Sequence, residues 1–310
     1  MSMRIGLHAG HENSSLEDLV RLWRMADRGG FYWVSIWDHL VPFPTVSADG
    51  ECHEALALLA LLAHETKHVR VGCLVFCIGF RHPSILAKAA VTLDHLSGGR
   101  LEIGLGTGWN AREHQPFGLP FPSLGTRFDM LEEGALILRP LLRGERVCFD
   151  GEHYQVDDAV CRPRPLQCSP RLWIGGGGEK RTLGVVARCA DGWNVAYVSP
   201  EVYRHKSTVL DDWCEKEHRD PSEISRSVNL GFYMGVNEAE ARSQVIAYNR
   251  YFGDRAEQFR DGTLFGRRAS VIDAIGEYAR AGVTDLNITM RSPYNFDAMQ
   301  SFVEEVMPHI

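Results

Sequence analysis

The sequence predicts a (β/α)8 TIM barrel with insertions. Three observations predict it. Strand-like and helix-like segments alternate from end to end of 310 residues, eight strands can be counted among them, and the 45% apolar fraction is that of a globular protein. Such alternation calls for parallel strands joined by right-handed crossovers. Eight units favour closure into a barrel over an open doubly wound sheet. Barrels of about 250 residues are single domains, so one domain is expected over residues 1–310, with insertions at about 41–52, 147–170 and 237–268.

Each element has its own signal. Arg4–Ala9 is the first strand. Ser14-Ser15-Leu16-Glu17 reads as a capping box, opening a helix that stops at Gly29-Gly30. Residues 33–37 form the second strand, 38–52 a loop and 54–65 an apolar helix. The third strand is 69–77. Pro83 then takes the favoured first position of a helix closed by Gly98-Gly99. The fourth strand, 101–105, precedes a helix over Leu124–Leu142. Residues 147–149, Gly151 and 154–156 read as a small hairpin, and Pro163, Pro165 and Pro170 stiffen an extended connection. Strand five is 172–174, followed by a helix over 180–189. Strand six is 192–195, followed by a helix over 200–217. Strand seven is 227–236. A helix over 238–251 starts an insertion that reaches Arg268. A helix over 269–281, strand eight at 285–289 and a helix over 296–306 complete the chain.

Composition excludes several classes. The net charge is −7 and the basic residues are scattered, so no nucleic-acid footprint is visible. The start of the chain carries no basic region followed by an apolar stretch, so no secretory signal is expected. The longest apolar run, 55–63, is far short of a membrane span. The eight cysteines (52, 73, 77, 148, 161, 168, 189, 214) form no CxxC pair, which suits reduced thiols in the cytoplasm. No metal-ligand spacing such as HExxH occurs, so no metal is expected.

Barrel active sites form where strands end. That rule points to His8 and His11, Asp38-His39, residues 77–82, Gly106-Thr107-Gly108-Trp109-Asn110 with Glu113 and His114, Gly175 to Thr182, Asn194 to Tyr197, and Met290-Arg291. The strongest signal is Gly175-Gly176-Gly177-Gly178 before a helix, with Glu179, Lys180 and Thr182 behind it. Glycines let backbone N–H groups converge on an anion, and the helix dipole adds positive potential. It reads as a phosphate cradle, with a plain turn as the alternative; the Walker spacing fails. Gly104-x-Gly106-x-Gly108 misplaces the third glycine of a dinucleotide fingerprint. It suits close approach of backbone to a planar ring, with Asn110 offering its amide to the ring edge. Asp38 can orient or charge the His39 imidazole, which acts as acid or base near neutral pH. His8, His11, Trp109, Glu113 and Tyr197 are candidate substrate contacts. None of the five lysines lies in a predicted strand, which sets Schiff-base chemistry aside.

These residues together resemble the bacterial-luciferase-like superfamily, and within it a branch of coenzyme F420-dependent oxidoreductases. The resemblance rests on Arg81-His82-Pro83-Ser84-Ile85-Leu86-Ala87-Lys88, on Leu93-Asp94-His95-Leu96-Ser97-Gly98-Gly99-Arg100, and on Gly104 to Asn110. Phe117-Gly118-Leu119-Pro120-Phe121-Pro122 and Ile174 to Leu183 also carry it; it is close over about residues 3–200 and looser beyond. It implies a ring cofactor lying across the strand ends, held at a bulge with a non-prolyl cis peptide at about Leu74-Val75. It further implies Asp38 and His39 near the reactive ring carbon, Asn110 against the ring, and Gly176 to Thr182 at the phosphate. The implied activity is hydride transfer between F420 and a small organic substrate, in a homodimer. The alternative is a monooxygenase using reduced FMN and oxygen. A barrel that has lost activity is a third class, against which Asp38, His39 and Asn110 argue.

Overall fold

The computed structural model describes residues 3–43, 45 and 49–310, so four positions of the first predicted insertion lie outside the described residues. In chain order the elements are β1 (Arg4–Ala9), α1 (Leu16–Arg28), β2 (Trp33–Ile36), α2 (Ala55–Glu65), β3 (Arg70–Cys77), α3 (Pro83–Ser97) and β4 (Leu101–Gly106). Then come α4 (Leu124–Leu142), β5 (Arg146–Asp150), β6 (Gln155–Val160), β7 (Arg171–Gly175), α5 (Thr182–Cys189), β8 (Gly192–Ala196) and α6 (Pro200–Lys216). The last are β9 (Ser225–Met234), α7 (Glu238–Phe252), α8 (Ala256–Arg260), β10 (Thr263–Gly266), α9 (Arg268–Arg280), β11 (Asp285–Met290) and α10 (Phe296–Ser301). The parallel strands run β1-β2-β3-β4-β7-β8-β9-β11, and β11 returns to β1, closing an eight-stranded barrel. β5 and β6 form the expected hairpin, as a separate antiparallel pair.

Strand alternation sorts the chain into two layers. Leu7, Val34, Ile36, Val71, Ile103, Leu286 and Ile288 join the main core cluster, together with Leu19, Leu22, Trp23 and Ala26 on one face of α1. Their strand neighbours His8, Ser35, Asn194, Ser227, Asn229 and Asn287 bond to one another across the barrel interior. At the N-terminal end the interior is filled by Trp33 and Trp173, 5.1 Å apart, and by Leu74. There the buried Glu102 accepts from Trp173 Nε1 at 2.5 Å and pairs with Arg70. The barrel is therefore stoppered at one end, and its polar interior opens toward the other.

The structure moves four sequence readings. Ser15, not Ser14, caps α1, accepting from the Asp18 N–H. The predicted helix over 180–189 starts at Thr182, because the glycine loop extends to Arg181. The third insertion holds more than a helix. After α7 and α8, β10 pairs in parallel with the upper half of β9 while β11 takes the lower half. The terminal helix loosens after Ser301 into a wider turn over Phe302–Val306. No described helix is long and apolar enough to cross a membrane.

Candidate active site

A cavity of about 470 Å³ opens at the C-terminal ends of the strands, a size that suits a cofactor or small molecule. The strands supply His8, Leu74, Val75, Cys77, Gly106, Gly175, Asn194 to Ala196 and Asn229, and Trp37 follows directly after β2. The loops behind them add Glu12, Asp38, His39, Gly108, Trp109, Glu113, Gly176, Gly177, Tyr197 and Arg291. Phe43 comes from the first insertion, and Tyr251, Arg255 and Phe259 come from the third, so both insertions reach the cavity. Phe43 stacks on Tyr251 at 5.4 Å and approaches Trp109 at 5.8 Å, making an aromatic wall.

One wall is formed by Leu74, Val75 and two glycines, Gly106 and Gly175. The Leu74–Val75 peptide is cis, and the register of β3 against β4 shifts between Cys73 and Phe76. Val75 is thereby pressed toward two glycines. A Cβ on Gly175 would lie 2.7 Å from Val75 Cγ1, and one on Gly106 would overlap Val75 Cγ2. A side chain at either position would strike Val75, so the two glycines let Val75 pack against the ends of β4 and β7.

Asp38 and His39 are adjacent in sequence but have different partners. Asp38 is 4% exposed. It accepts two N–H bonds from Arg81, at 2.6 and 2.9 Å, and one from the Cys77 backbone at 2.9 Å. Burial pushes its carboxyl up from the ordinary value and Arg81 opposes that; the bidentate geometry is that of an ion pair. Arg81 also pairs with Glu54 at the start of α2. The expectation that Asp38 orients His39 is corrected here: the partner of His39 is Glu113. Nδ1 lies 3.0 and 3.2 Å from the two Glu113 oxygens, and the Leu40 N–H donates to the same carboxylate at 2.9 Å. Burial pulls the His39 pKa down, but the Glu113 hydrogen bond and charge push it up, and the net direction is up. The ring edge meets Trp109 at 5.5 Å and Trp37 at 6.4 Å. With Nδ1 committed, Nε2 is the nitrogen left for a ligand.

His8 also borders the cavity, bonded through Nδ1 to Ser35 Oγ at 2.9 Å. Burial, helped by the charges of Arg291, His11 and His39, lowers its pKa to about 3, so it is neutral at physiological pH. His11 does not line this cavity. It is fully buried behind Trp37, with ring centroids 5.7 Å apart. Asn110 is likewise turned away: it is 3% exposed, and its amide nitrogen finds no partner among the described residues.

The glycine run behaves as two halves. Gly175 to Gly177 line the cavity, with Gly176 at φ +123°. Gly178 and Glu179 to Thr182 lie outside it, where α5 begins with no side-chain cap. Lys206 of α6 had no role in the sequence reading. Its ammonium donates to Gly177 O at 2.8 Å and to Glu179 at 2.9 Å, placing a cation against the loop. Arg81, Glu12, Tyr251, Arg255 and Arg291 were missed too. Of these Arg81 and Arg291 carried a signal, their positions at strand ends, but no role was read for either. No group of metal-ligating side chains occurs among the described residues.

Fold and site together define a barrel enzyme scaffold with a ring-sized cavity at the strand ends. The chain belongs to the luciferase-like monooxygenase family, which matches residues 2–274. It is 33% identical over 225 residues to an F420-dependent glucose-6-phosphate dehydrogenase of Microbacterium testaceum, a match covering 72% of this chain and 66% of that protein, just under two thirds of it. It is 29% identical over 245 residues to an F420-dependent hydroxymycolic acid dehydrogenase of Mycobacterium tuberculosis, covering 78% of this chain and 66% of the relative. Among solved structures, an F420-dependent secondary alcohol dehydrogenase in complex with an F420–acetone adduct superposes with a TM-score of 0.86. That alignment covers 100% of this chain and 99% of the other at 20% identity, a likeness of fold.

Proposed function

We propose that the protein is an F420-dependent oxidoreductase that moves a hydride between the coenzyme and an alcohol or carbonyl carbon of a small organic substrate. The observation that carries this reading is the His39–Glu113 pair, 3.0 Å apart and facing a cavity lined by Leu74, Val75 and glycines. The sequence relatives named for F420-dependent dehydrogenases support it. The residues present fit a planar ring: Leu74, Val75 and two glycines, Gly106 and Gly175, line one wall of the cavity. Leu74, Val75, Gly106 and Gly108 would hold the ring, and Gly175 to Gly177 with Lys206 would hold its anionic tail. When bound, F420 supplies or accepts a hydride. His39 Nε2 takes the hydroxyl proton during oxidation and returns it during reduction. Glu113 fixes the tautomer and stabilises the imidazolium, and the Leu40 N–H fixes Glu113. Phe43, Trp109 and Phe259 keep bulk water from the reacting atoms.

The test is direct. F420 and FMN are titrated separately into purified protein and binding is read by fluorescence quenching. F420 is expected to bind; micromolar FMN binding with no response to F420 overturns the reading and favours the oxygenase alternative. H39A is expected to slow turnover by about 10²–10⁴ with cofactor affinity nearly intact. Cytoplasmic residence and a homodimer belong to the same reading, and gel filtration with light scattering checks the latter.

A further inference from the structure

Arg291 follows β11 and borders the main cavity and also a smaller adjoining one of about 120 Å³ shared with Glu12, Trp37 and Tyr251. Its guanidinium lies over aromatic rings: 4.9 Å from Tyr251, 5.2 Å from Trp37, 5.3 Å from Phe252 and 5.5 Å from Tyr197. Aromatic rings offer no strong acceptor, so the N–H groups of the guanidinium still call for a partner. Two of those groups, Nε and Nη1, are buried and make no hydrogen bond of ordinary geometry among the described residues, although the Tyr233 and Tyr251 hydroxyls interact with the guanidinium. Burial opposes the charge, yet the net direction of the Arg291 pKa is up, and a guanidinium stays cationic. Glu12 is occupied by the Tyr251 hydroxyl at 2.8 Å and forms no ion pair with Arg291. Arg81, by contrast, is saturated by Asp38 and Glu54.

A buried cation with idle donors is costly to fold around, because its lost hydration is not replaced. Such a cost is retained where a ligand completes the bonding. The position says which ligand. In the ring of strands, β11 is separated from β7, which carries the glycine run, by β8 and β9 on one side and by β1 to β4 on the other. Arg291 therefore stands across the mouth from the loop assigned to the cofactor tail. It shares the Trp37 ring with His39, the residue assigned to the reacting carbon.

We propose that Arg291 selects an anionic substrate, its guanidinium taking a carboxylate or phosphate group of the molecule whose alcohol or carbonyl carbon lies at His39. The inference rests on the F420 reading and names the substrate class for it. The neutral His8 beside Arg291 offers a hydrogen bond without competing charge. Carboxylate and phosphate share the in-plane, charge-assisted bonding that arginine supplies.

The test uses F420-loaded protein and two simple probes, acetate and inorganic phosphate, each titrated at constant ionic strength against chloride. Binding is read from tryptophan fluorescence, since Trp37 and Trp109 line the cavity. At least one probe is expected to bind wild type, R291Q to lose at least about tenfold in its affinity, and R291K to fall between. F420 affinity is expected to stay within about twofold in both variants, and circular dichroism checks their fold. Should R291Q unfold, R291K with wild type still decides the matter. Three results overturn the proposal: neither probe binds wild type, the folded variants bind it as wild type does, or F420 affinity itself falls about tenfold, which gives the arginine to the cofactor. Failure of wild type to bind F420 sinks the proposed function instead. For source, glucose 6-phosphate is compared with glucose and lactate with propan-2-ol; whichever charged member exceeds its neutral twin names the group.

Discussion

Replacing Glu113 with glutamine withdraws the charge beneath His39 while keeping the volume. Glu113 Oε2 already accepts from both His39 Nδ1 and the Leu40 N–H, so an amide oxygen in its place keeps both hydrogen bonds. Glu113 is 2% exposed and His39 21%, so water and salt screen the pair weakly. A hydrogen bond to a charged group contributes about 1.5–3 kcal/mol and a neutral one about 0.5–1.5 kcal/mol. E113Q therefore removes about 1–2 kcal/mol of support for the imidazolium. A barrier raised by that amount slows turnover roughly 5–30-fold. The sign of the pH effect follows from the opposing causes. In wild type, burial lowers the His39 pKa, and the Glu113 hydrogen bond and charge, with the charges of Glu12 and Asp38, together outweigh it. Without the Glu113 charge the pKa falls. Alcohol oxidation needs neutral imidazole, so its acidic limb moves to lower pH; carbonyl reduction needs imidazolium, so its basic limb moves the same way. A raised folded-state value contributes stability that is present below the ordinary histidine value of about 6.5 and is lost as pH rises through the folded value. The stability gap between wild type and E113Q is therefore widest near about pH 6 and narrows toward alkaline pH. Imidazole titration by NMR, assigned with H39A, and urea unfolding across pH measure both effects. A His39 titration unmoved by E113Q, with a gap constant in pH, would refute the reasoning.

Other outcomes follow from the same geometry. D38N breaks a buried bidentate pair and is expected to cost about 3–5 kcal/mol in urea unfolding while leaving the His39 titration nearly in place; a large move of that titration returns the orienting role to Asp38. G106A forces a methyl group into Val75 and is expected to lose about 1–3 kcal/mol of stability together with F420 affinity; unchanged F420 binding means the ring lies elsewhere. K206M removes the ammonium beside Gly177, and F420 binding is expected to weaken about tenfold and to become less dependent on salt; wild-type affinity and salt dependence in K206M remove the lysine from the phosphate site.

The barrel was legible because the strands carry their signal locally. Ile5-Gly6-Leu7-His8-Ala9 and Leu286-Asn287-Ile288-Thr289 alternate, and turn residues bracket each run. β10 was not legible: four residues between Gly262 and Arg267 have no pattern to read, and they form a strand only because β9 overruns its partner β11. Within the site, the strand-end rule found His39, Glu113 and His8. It could not pair His39 with Glu113, 74 residues on, because a helix-side carboxylate looks the same in sequence whether it faces solvent or an imidazole. The same limit hid Lys206, 29 residues past Gly177, and misplaced His11 and Asn110, whose orientation is set by packing around Trp37 and the Asn110–Glu113 turn.

The two acidic pairs divide the labour, and their chemistry says why. Asp38 faces a guanidinium, which does not titrate in the physiological range, so the charge it answers does not change with pH. It can only fix geometry. Its third bond, from the Cys77 N–H, ties the end of β2 to the end of β3 just beyond the bulge, and Arg81 carries the tie on to α2 through Glu54. Glu113 faces an imidazole, whose charge changes near neutrality, so this pair alone can take up and release a proton as substrate reacts. An exchange of roles would fail on both counts. An aspartate shared between Arg81 and His39 would spend its charge on the arginine and leave the imidazolium to burial, which lowers it. The neighbouring positions of Asp38 and His39 in sequence thus conceal opposite requirements: Asp38 answers a charge that does not change, and His39 must sit where a change of its own charge is cheap.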